Sequence, residues 1–336
     1  MYRCRAGAAR PSGKGSRRLI HDTSTTRRRI TDRGAIPAID RGRRPDDASG
    51  YHGPVLSLPG PLVDVDWLAA HSTDPGLRIA DVRWALSGPS GRERFEEGHI
   101  PGAVFLDAER ELSSPGEGPG RHPVPTPAKL ARVLGSAGIG DEHVVVAYDD
   151  TGGSIAARLW WLVRHFGHEG ACAVLDGGIG AWTDAGMPHS TEPVAHAPTT
   201  WTPGPTRDDT LDADAVAGLT HDAAVLLDAR AAERYRGETE PVDPRAGHIP
   251  GALCAPFAGN LGPDGRFLAP DALRQRYVSL GAGDRAVVAY CGSGISAAHD
   301  LLALELAGID GARLYEGSWS DWSSDPSRPA ATGPIP

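Results

Sequence analysis

The chain has 336 residues, of which 40% are hydrophobic and 23% are charged, the balance of a soluble globular protein long enough for two domains. Its net charge of −9 argues against nucleic acid as the main partner. No apolar run approaches the roughly 20 residues that a membrane-spanning helix needs, so an integral membrane protein is disfavoured.

The first 53 residues differ from the remainder in charge and pattern. They hold thirteen Lys or Arg against five Asp, and they show neither helical nor strand periodicity. This composition favours a disordered basic extension or an over-long start assignment. An organelle-targeting leader and an arm for an anionic partner are the alternatives, while the lack of an apolar segment disfavours a secretory signal.

The four cysteines are Cys4, Cys172, Cys254 and Cys291. They form no C-x-x-C pair and no Cys/His cluster with zinc spacing, so we expect neither a disulfide framework nor a metal. So sparse a set favours a reducing, cytoplasmic setting. Cys172 and Cys254 lie in apolar, strand-like runs and are predicted to be structural.

The chain contains an internal duplication, because three sequence anchors recur in the same order. They are an apolar strand ending in Asp and Arg (79–84 and 226–231), the turn GHIPGA (from 98 and from 247), and a strand–loop–helix unit (144–167 and 287–308). The anchors are separated by similar distances in the two copies, which indicates a repeated domain of about 130 residues.

Short β-rich runs alternate with helical patterns in each copy. This alternation predicts an α/β fold in which a mainly parallel sheet carries helices on both faces. We assign the N-terminal domain to residues 58–187 and the C-terminal domain to 210–328. The Pro- and Thr-rich stretch 188–209 is predicted to be the linker.

The duplication separates structural residues from candidate functional ones. His99 and His248 occur in both GHIPGA turns, and Asp–Arg pairs end both first strands, so these residues are predicted to hold the fold. Positions that differ between the copies are better functional candidates. Cys291, which is matched by Asp149 in the first copy, leads that group.

Cys291 lies between a strand and a helix in the loop CGSGIS. Ligands of open α/β sheets bind at this end of a strand. Glycines let the loop turn its N–H groups towards the sulfur, and the helix N-terminus adds partial positive charge, which together favour a thiolate. We therefore predict that Cys291 is a nucleophile and that Gly292, Gly294, Ile295 and Ser296 bind the substrate beside it.

Phosphate chemistry fits this loop poorly. A cysteine phosphatase needs an arginine six residues after its cysteine to clamp the phosphoryl oxygens, and Ala297 occupies that position. The other Gly-rich turns complete neither a Walker nor a dinucleotide-binding pattern.

Residues 58–328 resemble the two-domain sulfurtransferases of the rhodanese superfamily. The resemblance rests on both GHIPGA turns, on ERYRG, on the CGSGIS loop and on EGSWSDW. It implies two tandem rhodanese-like domains, of which only the C-terminal one carries the active cysteine. It implies no metal or organic cofactor.

The residues after the cysteine resemble the 3-mercaptopyruvate branch, since thiosulfate-type enzymes commonly place basic residues there. The resemblance implies that Ser293 joins a proton relay with an acid of the N-terminal domain. Glu109 matches that acid by position, and Asp107 is the alternative because the family usually has aspartate. His122 matches a histidine of the interdomain cleft.

The resemblance also implies how the donor is held. Arg234 matches the substrate arginine, and Arg245 matches a second one, since arginine binds a carboxylate through paired donors.

We therefore predict a sulfurtransferase in which Cys291 takes sulfur from 3-mercaptopyruvate as a persulfide. The acceptor would be cyanide or a thiol, either of low molecular weight or on a thioredoxin-like protein. The alternatives are a thiosulfate:cyanide sulfurtransferase and a persulfide carrier module without donor turnover of its own.

Overall fold

The computed structural model describes residues 56–220, 222–283 and 285–336. The predicted basic extension, residues 1–53, lies outside these ranges, and so does Cys4. The described residues form two five-stranded sheets, one in each copy of the duplication. Neighbouring strands are parallel in both sheets, as the alternation of strands and helices predicts.

The first copy forms a sheet with the strand order β1–β5–β4–β2–β3. Its elements are β1 (Leu62–Val63), α1 (Val65–His71), β2 (Leu77–Asp81), α2 (Gly91–Glu97), β3 (Ala103–Phe105), α3 (Pro127–Ser136), β4 (Val144–Tyr148), α4 (Ala156–His165), β5 (Cys172–Leu175) and α5 (Gly178–Asp184). Strand β4 is therefore central, and the loop after it opens at the middle of the carboxyl edge.

The second copy repeats this topology in the order β6–β10–β9–β7–β8. Its elements are β6 (Thr210–Leu211), α6 (Ala213–Ala217), β7 (Ala224–Asp228), α7 (Ala232–Tyr235), β8 (Leu253–Cys254), a 3-10 helix (Phe257–Asn260), α8 (Pro270–Ser279), β9 (Ala286–Tyr290), α9 (Ala297–Leu306), β10 (Arg313–Tyr315) and α10 (Ser318–Trp322). Strand β9 takes the central place of β4, so the Cys291 loop and the Asp149 loop are structural equivalents.

Both faces of each sheet are covered. Along β4, Val145 and Ala147 belong to one apolar core while Val146 and Tyr148 belong to another. Because successive side chains of a strand point to opposite faces, these two cores lie on opposite sides of the sheet. The predicted α/β fold with helices on both faces is confirmed.

One apolar core is continuous across both domains. It contains residues of α4 from the first copy and of α9 from the second, and these two helices pack against each other. Leu301, Leu302 and Leu304 of α9 are buried, as the apolar sequence of that segment predicts. The loop of each copy thus leads into a helix that is surrounded by protein on all sides.

The histidines of the two GHIPGA turns support the fold, as their occurrence in both copies predicts. His99 stacks on Phe95 with ring centroids 3.9 Å apart, and His248 stacks on Tyr235 at 3.8 Å. Each Nδ1 lies 2.8 Å from the carbonyl oxygen of the same aromatic residue. Both rings are buried, so they fix the turn against the preceding helix.

The Asp–Arg pairs at the ends of β2 and β7 are buried ion pairs. Arg83 Nη2 lies 2.6 Å from Asp81 Oδ2, and Arg230 Nη2 lies 2.6 Å from Asp228 Oδ2. Each arginine also donates to the carbonyl of the glycine that opens the GHIPGA turn. These contacts join the first strand of each copy to the turn and confirm the predicted structural role.

Each domain places an equivalent loop against the other domain. Residues 120–122 (GRH) of the first copy and 265–267 (GRF) of the second each begin with a glycine at φ 72°. The first loop contacts Ser293 in the Cys291 loop. The second donates a backbone N–H to Asp176 Oδ1 at 2.9 Å, beside the Asp149 loop. Each domain therefore covers the loop of the other.

Residues 188–209, all of them described, contain no helix or strand. The segment is nevertheless packed, since the Trp201 side chain is buried and the Thr199 N–H donates to the Gly135 carbonyl at 3.0 Å.

The longest described helices have ten residues. Among all the described residues, no helix is long and apolar enough to span a bilayer.

Candidate active site

Cys291 is the first residue after β9, and its side chain is buried, with 1% of the residue exposed. Its Sγ accepts a hydrogen bond from the Gly294 N–H at 3.1 Å. Gly294 adopts φ 83°, and a Cβ at this position would clash with the Glu316 carbonyl oxygen, so glycine is required. The loop therefore points an amide at the sulfur, and α9 begins directly behind it at Ala297.

The turn at the start of α10 holds the backbone of this loop. Ser318 Oγ accepts from the Cys291 N–H at 3.1 Å, and the Trp319 N–H donates to the Cys291 carbonyl at 3.0 Å. Ser318 has φ 54°, in the left-handed region, whereas its equivalent in the first copy is Gly178 at φ 57°. The strained backbone occurs in the copy with the thiol, where the serine hydroxyl is used.

The first copy shows what this loop can hold. The carboxylate of Asp149, the equivalent of Cys291, accepts four backbone N–H bonds of 2.7–2.9 Å. The donors are Thr151, Gly153, Ile155 and Ala156. Burial raises the pKa of Asp149, and these amides oppose the rise by stabilising the anion. A loop of this construction at a helix N-terminus binds negative charge.

Ser293 makes the contact with the N-terminal domain that places His122 in the site. His122 Nδ1 lies 2.7 Å from Ser293 Oγ, across 171 residues of sequence. Burial and the charges of Arg158 and Arg121 lower the pKa of His122 to about 4. The imidazole is therefore neutral at pH 7 and able to share a proton with the Ser293 hydroxyl.

The two candidate relay acids lie further away. Glu109 is exposed, and its Oε2 lies 3.5 Å from Trp84 Nε1, while the Trp84 ring meets the His122 ring edge-on at 5.4 Å between centroids. Asp107 Oδ1 accepts the N–H groups of Glu109 and Arg110 and so caps a turn. Among the described residues, the side chain hydrogen-bonded to Ser293 is His122.

Arg158 of α4 is a fully buried guanidinium between the two domains. It donates to the Gly294 carbonyl and to the His122 carbonyl, both at 3.1 Å. Burial lowers the pKa of Arg158 to about 10, against the opposing influence of Glu316 and the Cys291 sulfur. The group remains protonated at neutral pH and supplies positive charge beside the sulfur.

Two further guanidiniums lie over Gly292, the residue after Cys291. A Cβ built on Gly292 would be 3.2 Å from Arg121 Nη2 and 3.4 Å from Arg234 Nη1. Arg121 comes from the N-terminal domain and Arg234 from the C-terminal one. Both form ion pairs with Asp243, whose side chain is buried. These two guanidiniums therefore bring positive charge to the Cys291 loop from other parts of the chain.

Arg245 requires a correction, because backbone carbonyls already accept four of its five N–H donors. Its Nε donates to the Ser323 carbonyl, its Nη1 to the Arg328 carbonyl, and its Nη2 to the Trp322 and Asp325 carbonyls, all at 2.8–2.9 Å. All three nitrogens are thus engaged with the backbone of residues 322–328. Arg245 therefore fastens this C-terminal segment to the domain.

The other described cysteines are structural, as predicted. Cys172 is buried in β5, and burial raises the pKa of its thiol well above the ordinary value. Cys254 is half-buried in β8, and burial raises its pKa as well. Among residues 56–220, 222–283 and 285–336, no group of three or more His, Cys, Asp or Glu side chains could hold a metal ion.

Three residues of this site were not found by sequence reasoning: Arg121, Arg158 and Ser318. A signal for Arg121 exists, since GRH at 120–122 aligns with GRF at 265–267 once the duplication is extended through these loops. Arg158 and Ser318 carry no comparable signal, because their roles depend on how the second domain and the α10 turn pack against the loop.

Comparison with known proteins agrees with this geometry. A family model for the rhodanese-like domain matches the chain twice, over residues 64–185 and 212–325. A "Probable 3-mercaptopyruvate sulfurtransferase" of Pseudomonas aeruginosa is 48% identical over 278 residues, which cover 81% of this chain and 98% of that protein. A "Putative thiosulfate sulfurtransferase SseB" of Mycobacterium tuberculosis is 43% identical over 272 residues, covering 77% and 92%.

A solved structure agrees as well. The crystal structure of SseA from Escherichia coli, described as a 3-mercaptopyruvate sulfotransferase, matches with a TM-score of 0.69 and 31% identity over 77% of this chain and 99% of that one. The fold and the loop thus define a tandem α/β protein with one thiol-bearing site. The chain belongs to the rhodanese-like family, and the predicted pair of rhodanese-like domains is confirmed.

Proposed function

We propose that this protein is a 3-mercaptopyruvate sulfurtransferase that carries the transferred sulfur on Cys291. The observation that supports it most directly is the position of Cys291, whose equivalent in the other domain is a carboxylate held by four backbone amides. A loop that holds an anion and carries a thiol suits both a thiolate nucleophile and the persulfide anion that it forms. The names of the P. aeruginosa and E. coli relatives support the choice of donor.

The first half-reaction moves one sulfur atom and one proton. The Cys291 thiolate attacks the donor sulfur, the C–S bond breaks, and its electron pair goes to carbon as the enolate of pyruvate. The proton of the donor thiol is transferred to that carbon, leaving pyruvate and a Cys291 persulfide anion. In the second half-reaction an acceptor thiolate or cyanide attacks the outer sulfur and restores the Cys291 thiolate.

The proton transfer is assigned to Ser293 with His122 behind it. The 2.7 Å contact between Ser293 Oγ and His122 Nδ1 orients the hydroxyl, and a neutral imidazole can accept or return its proton. Glu109 does not hydrogen-bond to Ser293 or His122. Its carboxylate lies beside Trp84 Nε1, and the Trp84 ring in turn contacts the His122 ring. The donor carboxylate is assigned to Arg234, which lies over Gly292.

The acceptor and the compartment are part of the same proposal. Because a thiolate can attack the outer sulfur of a persulfide, a low-molecular-weight thiol or a thioredoxin-like protein is the proposed physiological acceptor. The free thiols Cys172, Cys254 and Cys291 suit a reducing, cytoplasmic setting.

Incubation with 3-mercaptopyruvate is expected to release pyruvate and to add the mass of one sulfur atom to the peptide that contains Cys291. Pyruvate is followed by a lactate dehydrogenase assay and the persulfide by mass spectrometry of digests made without reductant. Cyanide or dithiothreitol should then remove the added sulfur. With the same acceptor, we expect kcat/KM for 3-mercaptopyruvate to exceed that for thiosulfate by about 10-fold or more, which corresponds to about 1.4 kcal/mol.

Two outcomes would contradict this proposal and favour an alternative. A higher kcat/KM for thiosulfate would identify a thiosulfate:cyanide sulfurtransferase. Labelling of Cys291 in a single turnover, without steady-state turnover of either donor, would identify a persulfide carrier.

Replacing His122 is expected to slow the donor half-reaction, because Ser293 loses the partner that orients its proton. His122→Leu should lower kcat for pyruvate formation about 100-fold with a small change in KM. His122→Asn, whose amide oxygen can accept near the position of Nδ1, should recover much of that loss. Stopped-flow pyruvate release measures both variants.

The same experiment separates the histidine from the acid behind it. Glu109→Gln is expected to change kcat less than about 5-fold, because the Glu109 carboxylate is exposed and does not contact Ser293. A loss in Glu109→Gln as large as that in His122→Leu would assign the relay to the acid. Equal rates of pyruvate release in His122→Leu and the parent protein would show that His122 is not part of the proton relay.

A further inference from the structure

His299 lies in the first turn of α9, the helix that follows the Cys291 loop, and it contacts the other domain. The residue is fully buried, and its ring stacks on Phe267 with centroids 4.4 Å apart. Its Nε2 lies 3.1 Å from the Gly152 carbonyl oxygen, across 147 residues of sequence. The reaction steps proposed above do not use this side chain, although it is the nearest titratable group after Cys291 along the chain that reaches the N-terminal domain.

The side chain of Asn260 determines which His299 nitrogen carries the proton. Asn260 Oδ1 accepts from Arg276 Nε at 3.0 Å, so the amide nitrogen faces the other way. That nitrogen lies 2.7 Å from Asp300 Oδ1 and 3.2 Å from His299 Nδ1, which is therefore an acceptor. Burial lowers the pKa of His299 to about 3, so the ring is neutral at pH 7. Its one N–H is on Nε2 and donates to the Gly152 carbonyl.

The peptide group that joins Gly152 to Gly153 is held from both sides. Its N–H, on Gly153, donates to Asp149 Oδ1 at 2.8 Å, and its carbonyl, on Gly152, accepts from His299. The N–H and C=O of a trans peptide point in opposite directions. The bond to the Asp149 carboxylate therefore turns the Gly152 carbonyl away from Asp149 and towards His299.

The second copy makes the reciprocal contact. Gly294 is the equivalent of Gly152, and its carbonyl accepts from Arg158 of α4 at 3.1 Å. Helix α4 follows the Asp149 loop, just as α9 follows the Cys291 loop. Each loop thus offers a glycine carbonyl to the helix that follows the loop of the other domain. The loop without a thiol is an anchor for α9.

Resting on the function proposed above, we propose that His299 is a positioning residue of the sulfurtransferase reaction, which fixes the start of α9 and the Cys291 loop against the N-terminal domain. Asp149 acts on His299 through the peptide that both contact. The proposed proton transfer needs Ser293 to stay 2.7 Å from His122, which belongs to that other domain. A small shift of α9 would separate these two groups and slow the reaction. The domain without a thiol contributes to the reaction in this way as well.

Two substitutions of His299 separate its two ring nitrogens. A glutamine amide nitrogen can take the place of Nε2, whereas the shorter asparagine amide reaches only the place of Nδ1. His299→Asn is expected to lower kcat for pyruvate release about 10-fold and to change KM less than about 2-fold. His299→Gln should keep kcat within about 3-fold of the parent value. Both variants lose the aromatic stack, so similar unfolding midpoints would show that the difference in kcat comes from the interdomain contact.

Asp149→Asn tests the other side of the same peptide. It places an amide NH2 group among four backbone N–H donors, so the Gly152 carbonyl loses its fixed direction. We expect kcat to fall about 10-fold here too, although Asp149 carries no reacting group. If His299→Asn does not fold, this variant decides the question.

His99→Asn is the matched control. His99 is also buried and stacked on an aromatic ring, but its side-chain hydrogen bond stays within its own domain. Its kcat should remain within about 2-fold of the parent value, whatever its loss of stability. Hydrogen exchange of the amides of residues 297–306 should be faster in His299→Asn and Asp149→Asn, and unchanged in His299→Gln and His99→Asn.

Failure of this inference is distinguishable from failure of the proposed function. The donor preference and the persulfide of the parent protein test the function. The ratio of variant to parent kcat tests the inference, and it is measured with whichever donor the parent uses. Equal kcat values in His299→Asn and His299→Gln, whether reduced or unchanged, would overturn the inference. A loss in His299→Asn that appears in KM alone would do the same.

Discussion

Cys291→Ser is expected to lower kcat/KM for 3-mercaptopyruvate at least 1000-fold, because a serine hydroxyl is not ionised at neutral pH and cannot carry a sulfane sulfur. The fold should tolerate the change, since an oxygen at this position can still accept the hydrogen bond from the Gly294 N–H. The measurement is steady-state pyruvate release, together with the unfolding midpoint of the variant.

The chain supplies matched controls for this substitution. Cys254→Ser removes a half-buried thiol from β8 in the same domain, and Cys172→Ala removes a buried thiol from β5 in the other domain. Both variants should retain the parent kcat/KM within about 3-fold, although Cys172→Ala is expected to lose about 1 kcal/mol of stability. Persistent turnover in Cys291→Ser, or an equal loss in Cys254→Ser, would contradict the assignment of the nucleophile.

Arg158→Met is expected to damage both stability and activity. Methionine fills much of the same volume but leaves the buried carbonyls of Gly294 and His122 without their donor, at a cost of about 3 kcal/mol in the free energy of unfolding. Because both carbonyls belong to residues of the site, we expect kcat/KM to fall about 100-fold. Urea unfolding and steady-state kinetics at a temperature well below the transition measure the two effects separately.

Loss of Arg158 should also lower the reactivity of the Cys291 sulfur. The Arg158 guanidinium interacts electrostatically with that sulfur, so its removal takes away a favourable interaction with negative charge there. The rate of pyruvate release and the rate of iodoacetamide alkylation should therefore both fall. An unchanged alkylation rate in a folded Arg158→Met variant would limit Arg158 to a structural role.

Arg164→Met is the control on the same helix. Arg164 also reaches the other domain, through an ion pair with Glu305, but it lies at the opposite end of α4 and contacts no residue of the Cys291 loop among its hydrogen bonds in the described part of the chain. We expect a loss of about 1 kcal/mol in the free energy of unfolding and no change in the rate of iodoacetamide alkylation.

The sequence alone determined the features that recur or that fail to recur between the copies. The buried Asp–Arg pairs and the stacked histidines lie within one domain and were predicted because both copies carry them. The contrast between Cys291 and Asp149 singled out Cys291 as the candidate nucleophile, and the central position of β4 and β9 places both loops at the middle of the carboxyl edge of their sheets. Such conclusions need only local pattern and comparison within the chain.

The tertiary structure alone decided which side chains meet across the two domains. His122 reaches Ser293 over 171 residues, and Arg158 reaches Gly294 over 136, so no local pattern records either contact. Arg245 shows the converse: its motif predicted a substrate ligand, yet the carbonyls of residues 322–328 accept four of its five N–H donors. Whether an arginine binds a ligand depends on which acceptors the folded chain brings to it, and only the packing of the domains determines those acceptors.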